Sequence, residues 1–361
     1  MNVNNSRLEP IDIGMLFNML AYIPADIPRE DWARFLMSAK SEFGEAAKEI
    51  MQEWSATASN YDKNAFNSTW KSIRSGGGVT IATIVHEAKE NGFKFAPMKP
   101  ADKQRLRVEQ RKREAQRRKQ EAIELQNRER GYIEAKQKAN YMLNKRAFYA
   151  NPEHPYFINK GIRSDLIGLN RLYQLSSSLM VPVYQFKAPP KSVIDILDYS
   201  ALFEVVSLQF IDEQGGKRFL KGGQLKGGFY PIRFGGPIVS IVICEGYATG
   251  VTYAQHYDTV SEVVCAFNAR NLLPVARAFK VRYPMARIII AGDNDRETEK
   301  STGVNVGKVK ATEAAKSVDG LVFIPEFGVY ESGTDWNDRY LLDQFALNQT
   351  EHHQNNCGDR L

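Results

Sequence analysis

Four carboxylates in the last third of the chain show the pattern with the clearest chemistry. They are Glu245 in IVSIVICEGYATG, Asp293 and Asp295 in ARIIIAGDND, and Asp335 in GTDWND. Each of the first two blocks is a β-branched apolar run that ends in acid, so each reads as a buried strand delivering a carboxylate to its C-terminal edge. Open α/β sheets place their chemistry at that edge. Three acidic stations on rigid elements suit Mg²⁺, which takes a few carboxylates, keeps several waters and fills its remaining positions with substrate phosphates. The expected chemistry is phosphoryl transfer on nucleotides or nucleic acid.

The elements upstream are rich in cations. Residues 147–235 read as mixed α/β, with short strands in SLMVPVYQF, LFEVVSLQFID and KRFLKGG. Two segments there set cations beside glycine. NPEHPYFINKGIRSDLIGLNRL holds Lys160 and Arg163, and KRFLKGGQLKGGFYPI holds Lys217, Arg218, Lys221 and Lys226. Glycine lets backbone amides approach an anion, so these segments are candidates for nucleotide or template phosphates. The plainer alternative is a basic hairpin kept soluble by its lysines.

From Lys103 to Arg146 the chain is rich in good helix formers and free of proline, which predicts one long helix. Its cations include Arg111, Arg113, Arg117 and Arg118. They either serve a solvated connecting helix, with acid–base pairs at helical spacing, or contact nucleic-acid phosphates through counterion release. Ahead of the helix, residues 11 to about 97 show amphipathic helical runs punctuated by Pro24, Pro28, Gly76-Gly77-Gly78 and Asn91-Gly92. An all-α domain is expected, with Trp54, Trp70 and Tyr61 in its core.

The ordered acidic blocks resemble the Toprim domain shared by bacterial-type primases, topoisomerases and some nucleases, over roughly residues 236–345. Tyr156–Ile162 and Arg218–Gly222 resemble, in order and spacing, the basic half of the bacterial-type primase core. With EGYATG, the likeness is to the plasmid and phage branch. The helical run from LAYIPAD to WKSIRSGGGVTIATIVHEAKENG resembles the primase C-terminal module of phages and plasmids.

These resemblances imply an α/β catalytic core, a Toprim sheet of four parallel strands with flanking helices beside a small basic α/β subdomain, preceded by an all-α N-terminal domain. The implied organisation is a helical module at 1–98, a basic helix at 99–146, the basic subdomain at 147–235, Toprim at 236–345 and a polar tail at 346–361.

Carried over residue by residue, the likeness makes Glu245, Asp293 and Asp295 the catalytic set. The same three, with Asp335 and Asp338, would bind Mg²⁺ or Mn²⁺. One departure stands out: replicative primases have a further Asp four residues after the first Glu, where this chain has Thr249. The number of metals is therefore open. The implied function is a mobile-element DNA primase that makes short primers from NTPs on single-stranded DNA by two-metal nucleotidyl transfer, alongside a replicative helicase or other replication protein. Two alternatives stay open: a Toprim nuclease or nickase, and a degenerate replication or interference protein that only binds DNA.

Composition sets the outer bounds. The 361 residues are 43% hydrophobic with a net charge of +6, enough for two or three domains with real cores. No run approaches the ~20 apolar residues of a membrane span. The N-terminal sequence lacks a secretory pattern, so a cytoplasmic location is expected. Cys244, Cys265 and Cys357 read as thiols of a reducing compartment, with no CxxC or Cys/His cluster for zinc. GVNVGKVKA at 303–311 only mimics a phosphate loop: its spacing is one short, and Val309 stands where Ser or Thr must be.

Overall fold

A computed structural model describes residues 10–73, 78–162, 172–187, 202–235 and 238–358. Arg163 lies outside the described residues. The chain divides into two compact units, residues 1–127 and 128–361.

The first unit is helical: α1 (Ile13–Leu20), α2 (Arg29–Phe43), α3 (Lys48–Ser55), α4 (Lys63–Ser72), α5 (Ala82–Glu90) and the first part of α6 (Pro100–Lys145). Asp12 and Asp62 start α1 and α4 by accepting the N–H of Met15 and Ala65. Apolar residues at helical spacing, among them Leu16, Met19, Leu36, Met51 and Phe66, close one core. The tryptophans belong to it. Trp32 donates to Ser55 Oγ, Trp54 to the Ile23 carbonyl and Trp70 to Glu45, so each ring is packed while its N–H stays satisfied.

The first part of α6 packs on the other helices of this unit through two arginines. Arg113 donates to the buried Glu42 carboxylate at 3.0 Å and to the Ile11 carbonyl, and lies over the Phe43 ring. One turn on, Arg117 donates to the Ser41 carbonyl. Arg111 and Arg118 are exposed. The helix therefore turns two of the four arginines inward, and only Arg111 and Arg118 remain available to a polyanion.

The second unit contains two five-stranded sheets among its described residues. The first is antiparallel, in the order β1 (Phe148–Tyr149), β2 (Tyr173–Leu175), β3 (Ser178–Phe186), β4 (Phe203–Ile211), β5 (Lys217–Phe219). The last turns of α6 lay Ala135 and Ala139 against Met180, Leu208 and Phe210 of this sheet. The short helix α7 (Pro155–Asn159) lies between β1 and β2 in the chain.

The second sheet contains β6 (Tyr230–Arg233), β7 (Ser240–Cys244), β8 (Glu262–Cys265), β9 (Arg287–Ala291) and β10 (Leu321–Phe323), in the order β10-β9-β7-β8-β6. Its first four members are parallel, as expected. The edge strand β6 pairs antiparallel with β8. Sequence spacing puts β6 with the basic region, but Tyr230 and Ile232 bury against the second sheet and draw it there.

The second sheet's helices are α8 (Tyr247–Thr252), which runs on into a π-helical turn at Tyr253–Tyr257, α9 (Ala269–Arg282), α10 (Arg296–Thr302), α11 (Val306–Lys316) and α12 (Trp336–Gly358). The backbone of α12 stays helical through most of the stretch expected to be a polar tail, which has no proline to stop it. Side chains from the two sheets meet in one core: Leu179, Val181, Val183 and Ile211 pack with Val242, Cys244, Val263 and Ile289. Among the described residues, no helix is long and apolar enough to cross a membrane.

Truncating Arg113 strands a buried carboxylate. Arg113→Ala should lower unfolding free energy by about 3 kcal/mol in denaturant titrations, and Glu42→Gln should recover much of that loss in the double variant. Arg111→Ala should leave stability within about 0.5 kcal/mol of the parent.

Candidate functional site

The acids meet because two parallel strands end together. In the pairing of β7 with β9, Cys244 stands opposite Ala291, so Glu245 and, after Gly292, Asp293 leave the sheet at one edge. The strands read Ser-Ile-Val-Ile-Cys and Arg-Ile-Ile-Ile-Ala and are almost wholly buried, so neither can slip without exposing its apolar residues.

Helix α11 holds the loop after β9. The Gly307 N–H donates to Asp295 Oδ2 at 2.7 Å, placing that carboxylate on a helix N-terminus. A Cβ on Gly307 would stand 2.5 Å from the Asp293 carbonyl, so the close approach requires glycine. Asn305 caps α11, accepting from Lys308 N–H, and also accepts the Asp295 N–H.

Asp335 sits at the start of α12. Its Oδ1 accepts the N–H of Asn337 and of Asp338, and its Oδ2 accepts the Thr249 hydroxyl at 3.1 Å. Asp338 Oδ2 accepts the Asp335 N–H at 3.4 Å, completing a reciprocal capping box, and also the Thr334 N–H at 2.9 Å. Asp338 Oδ1 lies 3.8 Å from Lys160 Nζ. This gives Asp338 a capping role at the rim, distinct from the inner carboxylates.

The inner carboxylates repel one another. Burial, then the charges of Asp295 and Asp335, push the Glu245 carboxyl up to about 7, against the pull of an Asp293 backbone hydrogen bond. Burial, then Glu245, Asp335 and Asp295, hold Asp293 well above the usual carboxylate range, with Lys217 pulling the other way. Glu245 Oε1 and Asp293 Oδ1 are inaccessible and have no hydrogen-bond partner. Buried acceptors in that condition call for a cation or a proton, and an all-oxygen donor set suits a hard ion such as Mg²⁺ or Mn²⁺. Among the described residues, no three Asp, Glu, His or Cys side chains form a closed ligand cage as they stand.

The upstream cations divide. Lys217 on β5 stands beside the acidic edge: its Nζ lies 3.8 Å from where a Cβ on Gly246 would be, and its charge acts on Asp293. Arg218, its neighbour on the strand, sits over the Phe210 ring at 4.5 Å, on the α6 side of the sheet. Lys221 and Lys226 are exposed in the loop that follows. Lys160 is at the rim beside Asp338, and the Asn337 side chain donates to its carbonyl. Sequence reasoning overlooked Asn337, Gly307 and the hydroxyl role of Thr249. The alternation of β5 and the Asp-x-x-Asp cap spacing were the available signals for the division of cations and for Asp338.

The thiols of Cys244 and Cys265 are buried and unpaired, and burial holds both above the usual thiol range. The Cys357 side chain lies outside the described residues.

The stretch that holds the second sheet and these carboxylates, residues 240–343, matches the family model of the Toprim domain. Residues 16–88 match Primase C terminal 2 (PriCT-2). Over 131 residues, 35% of this chain, the sequence is 39% identical to a DNA primase TraC from Escherichia coli and 37% identical to a second one. Those stretches cover 12% and 9% of the relatives' own lengths. The primase fragment of the bacteriophage T7 primase-helicase protein superposes with a TM-score of 0.38 at 16% identity, over 55% of this chain and 71% of that one.

The raised Glu245 carboxyl has a pH signature. A carboxyl held near 7 in the folded state and near 4.5 when unfolded adds no strain below pH 4.5 and destabilises progressively as pH rises through 7. In chelator at pH 8, Glu245→Gln should therefore be more stable than the parent by about 1–3 kcal/mol. At pH 4 the two should coincide. Equal melting temperatures at pH 8 would rule out buried mutual repulsion.

Proposed function

We propose that this chain is the primer-synthesising part of a mobile-element DNA primase, joining NTPs on a single-stranded DNA template with Mg²⁺ or Mn²⁺. One observation supports this most directly: Lys217, from the antiparallel sheet, reaches the acidic edge of the parallel sheet. A polymerising site must bind the phosphates of an incoming nucleotide beside its acids.

Glu245, Asp293 and Asp295 would hold the divalent ion. When bound, the ion supplies Lewis-acid stabilisation of charge on the transferring phosphoryl group. Lys217 offers a point charge to phosphate oxygens next to that position, while the exposed Lys221 and Lys226 can follow the triphosphate or the template backbone. Lys160, 3.8 Å from Asp338, adds a further cation at the rim. Asp335 keeps the charge density of the edge high while anchoring α12. On the helical unit, Arg111 and Arg118 provide sequence-independent phosphate contacts, and a replicative helicase or similar replication protein is the expected partner.

The reading is tested by incubating the protein with single-stranded DNA and labelled NTPs, and separately with supercoiled plasmid. Short oligonucleotides are expected from the first reaction and intact plasmid from the second. Nicked plasmid without oligonucleotides would make the chain a nuclease, and neither product would make it a binding protein. Glu245→Gln and Asp293→Ala should abolish product while keeping DNA affinity. Arg111→Ala and Arg118→Ala should each weaken single-stranded DNA binding and reduce the log–log salt slope by about 0.7.

A further inference from the structure

We infer that Thr249, Thr252 and Asn337 form a clasp that positions Asp335 and the Lys160 segment against the Glu245–Asp293 edge. The inference rests on the cation-site reading above and deepens it. Asn337 is fully buried, and its Nδ2 donates both to the Lys160 carbonyl at 2.7 Å and to Thr252 Oγ1 at 2.8 Å. Thr249 Oγ1 donates to Asp335 Oδ2 at 3.1 Å. Three segments distant in sequence are tied at one point: the end of α7, the helix that directly follows Glu245, and the turn that carries Asp335 and Asp338.

The spacing makes the clasp work. Thr249 and Thr252 are one turn apart on α8, so their hydroxyls lie on one face of the helix. Asp335 and Asn337 meet that face from the start of α12. Both threonines are 2% exposed, so water cannot substitute for either partner. With both amide hydrogens of Asn337 in use, the Lys160 main chain and α8 cannot move independently. Thr249 also suits a crowded acidic edge: as a neutral donor it satisfies one oxygen of Asp335 without adding another carboxylate. These are positioning residues, and none is required to touch the substrate.

Isosteric variants separate positioning from folding. Thr249→Val and Thr252→Val remove one hydroxyl each at nearly constant volume, and Thr249→Ser retains the donor. Two readouts are needed: Mn²⁺ affinity by calorimetry, and hydrogen exchange of the 333–339 segment in metal-free protein. Each valine variant is expected to weaken Mn²⁺ binding about tenfold and to speed exchange of that segment. Thr249→Ser should match the parent in both. Unchanged exchange in both valine variants would overturn the clasp. Faster exchange with unchanged Mn²⁺ affinity would reduce it to a structural contact and overturn the positioning role, as would a serine variant as weak as valine. A parent protein that takes up no Mn²⁺ overturns the cation-site reading itself. That failure is distinguishable because it appears before any substitution is made.

Discussion

Like charges held at the end of two adjacent buried strands are the constraint around which the second unit is arranged. Carboxylate oxygens without partners are costly in a low-dielectric edge, and the strands that bear them cannot shift to relieve the cost, because their β-branched residues fill both sides of the sheet. The surroundings share the burden. A helix N-terminus receives Asp295, a second helix start and a hydroxyl receive Asp335, and an ammonium from a different sheet approaches the centre.

The common core of the two sheets decides which cation can approach. Leu179, Val181 and Ile211 belong to the antiparallel sheet, yet they pack with residues of the parallel one. Strand β5 is carried along with its sheet, and the pleat then selects Lys217 over Arg218. A basic region joined by a loose linker would give the same composition and net charge but no such choice. The helical unit has its own core, closed by tryptophans whose indole N–H groups are all satisfied locally.

Much of this was legible in the sequence where the signal is local. An apolar run ending in acid marks a strand and the carboxylate at its end, which is why Glu245 and Asp293 could be placed at a sheet edge without a structure. The tryptophans of the helical unit were legible for the same reason, since amphipathic spacing marks the buried face. What could not be read depended on contacts across the fold. Strand β6 changes sheet because of where Tyr230 and Ile232 bury. Arg113 and Arg117 differ from Arg111 and Arg118 only in the helix face they occupy, and the packing of Glu42 and Ser41 decides which face turns inward. Asn337 looks like an ordinary polar residue until its two acceptors, far away in the chain, are known.

The double occupation of Asp335 has an outcome of its own. One oxygen caps a helix through two backbone N–H groups, while the other faces a threonine on a different helix, so the carboxylate is fixed by reach as much as by charge. Glutamate would supply the same ion, but its extra methylene would carry the oxygens past the cap. At this position arm length therefore matters as much as charge. Asp and Glu, interchangeable on most surfaces, are here different parts.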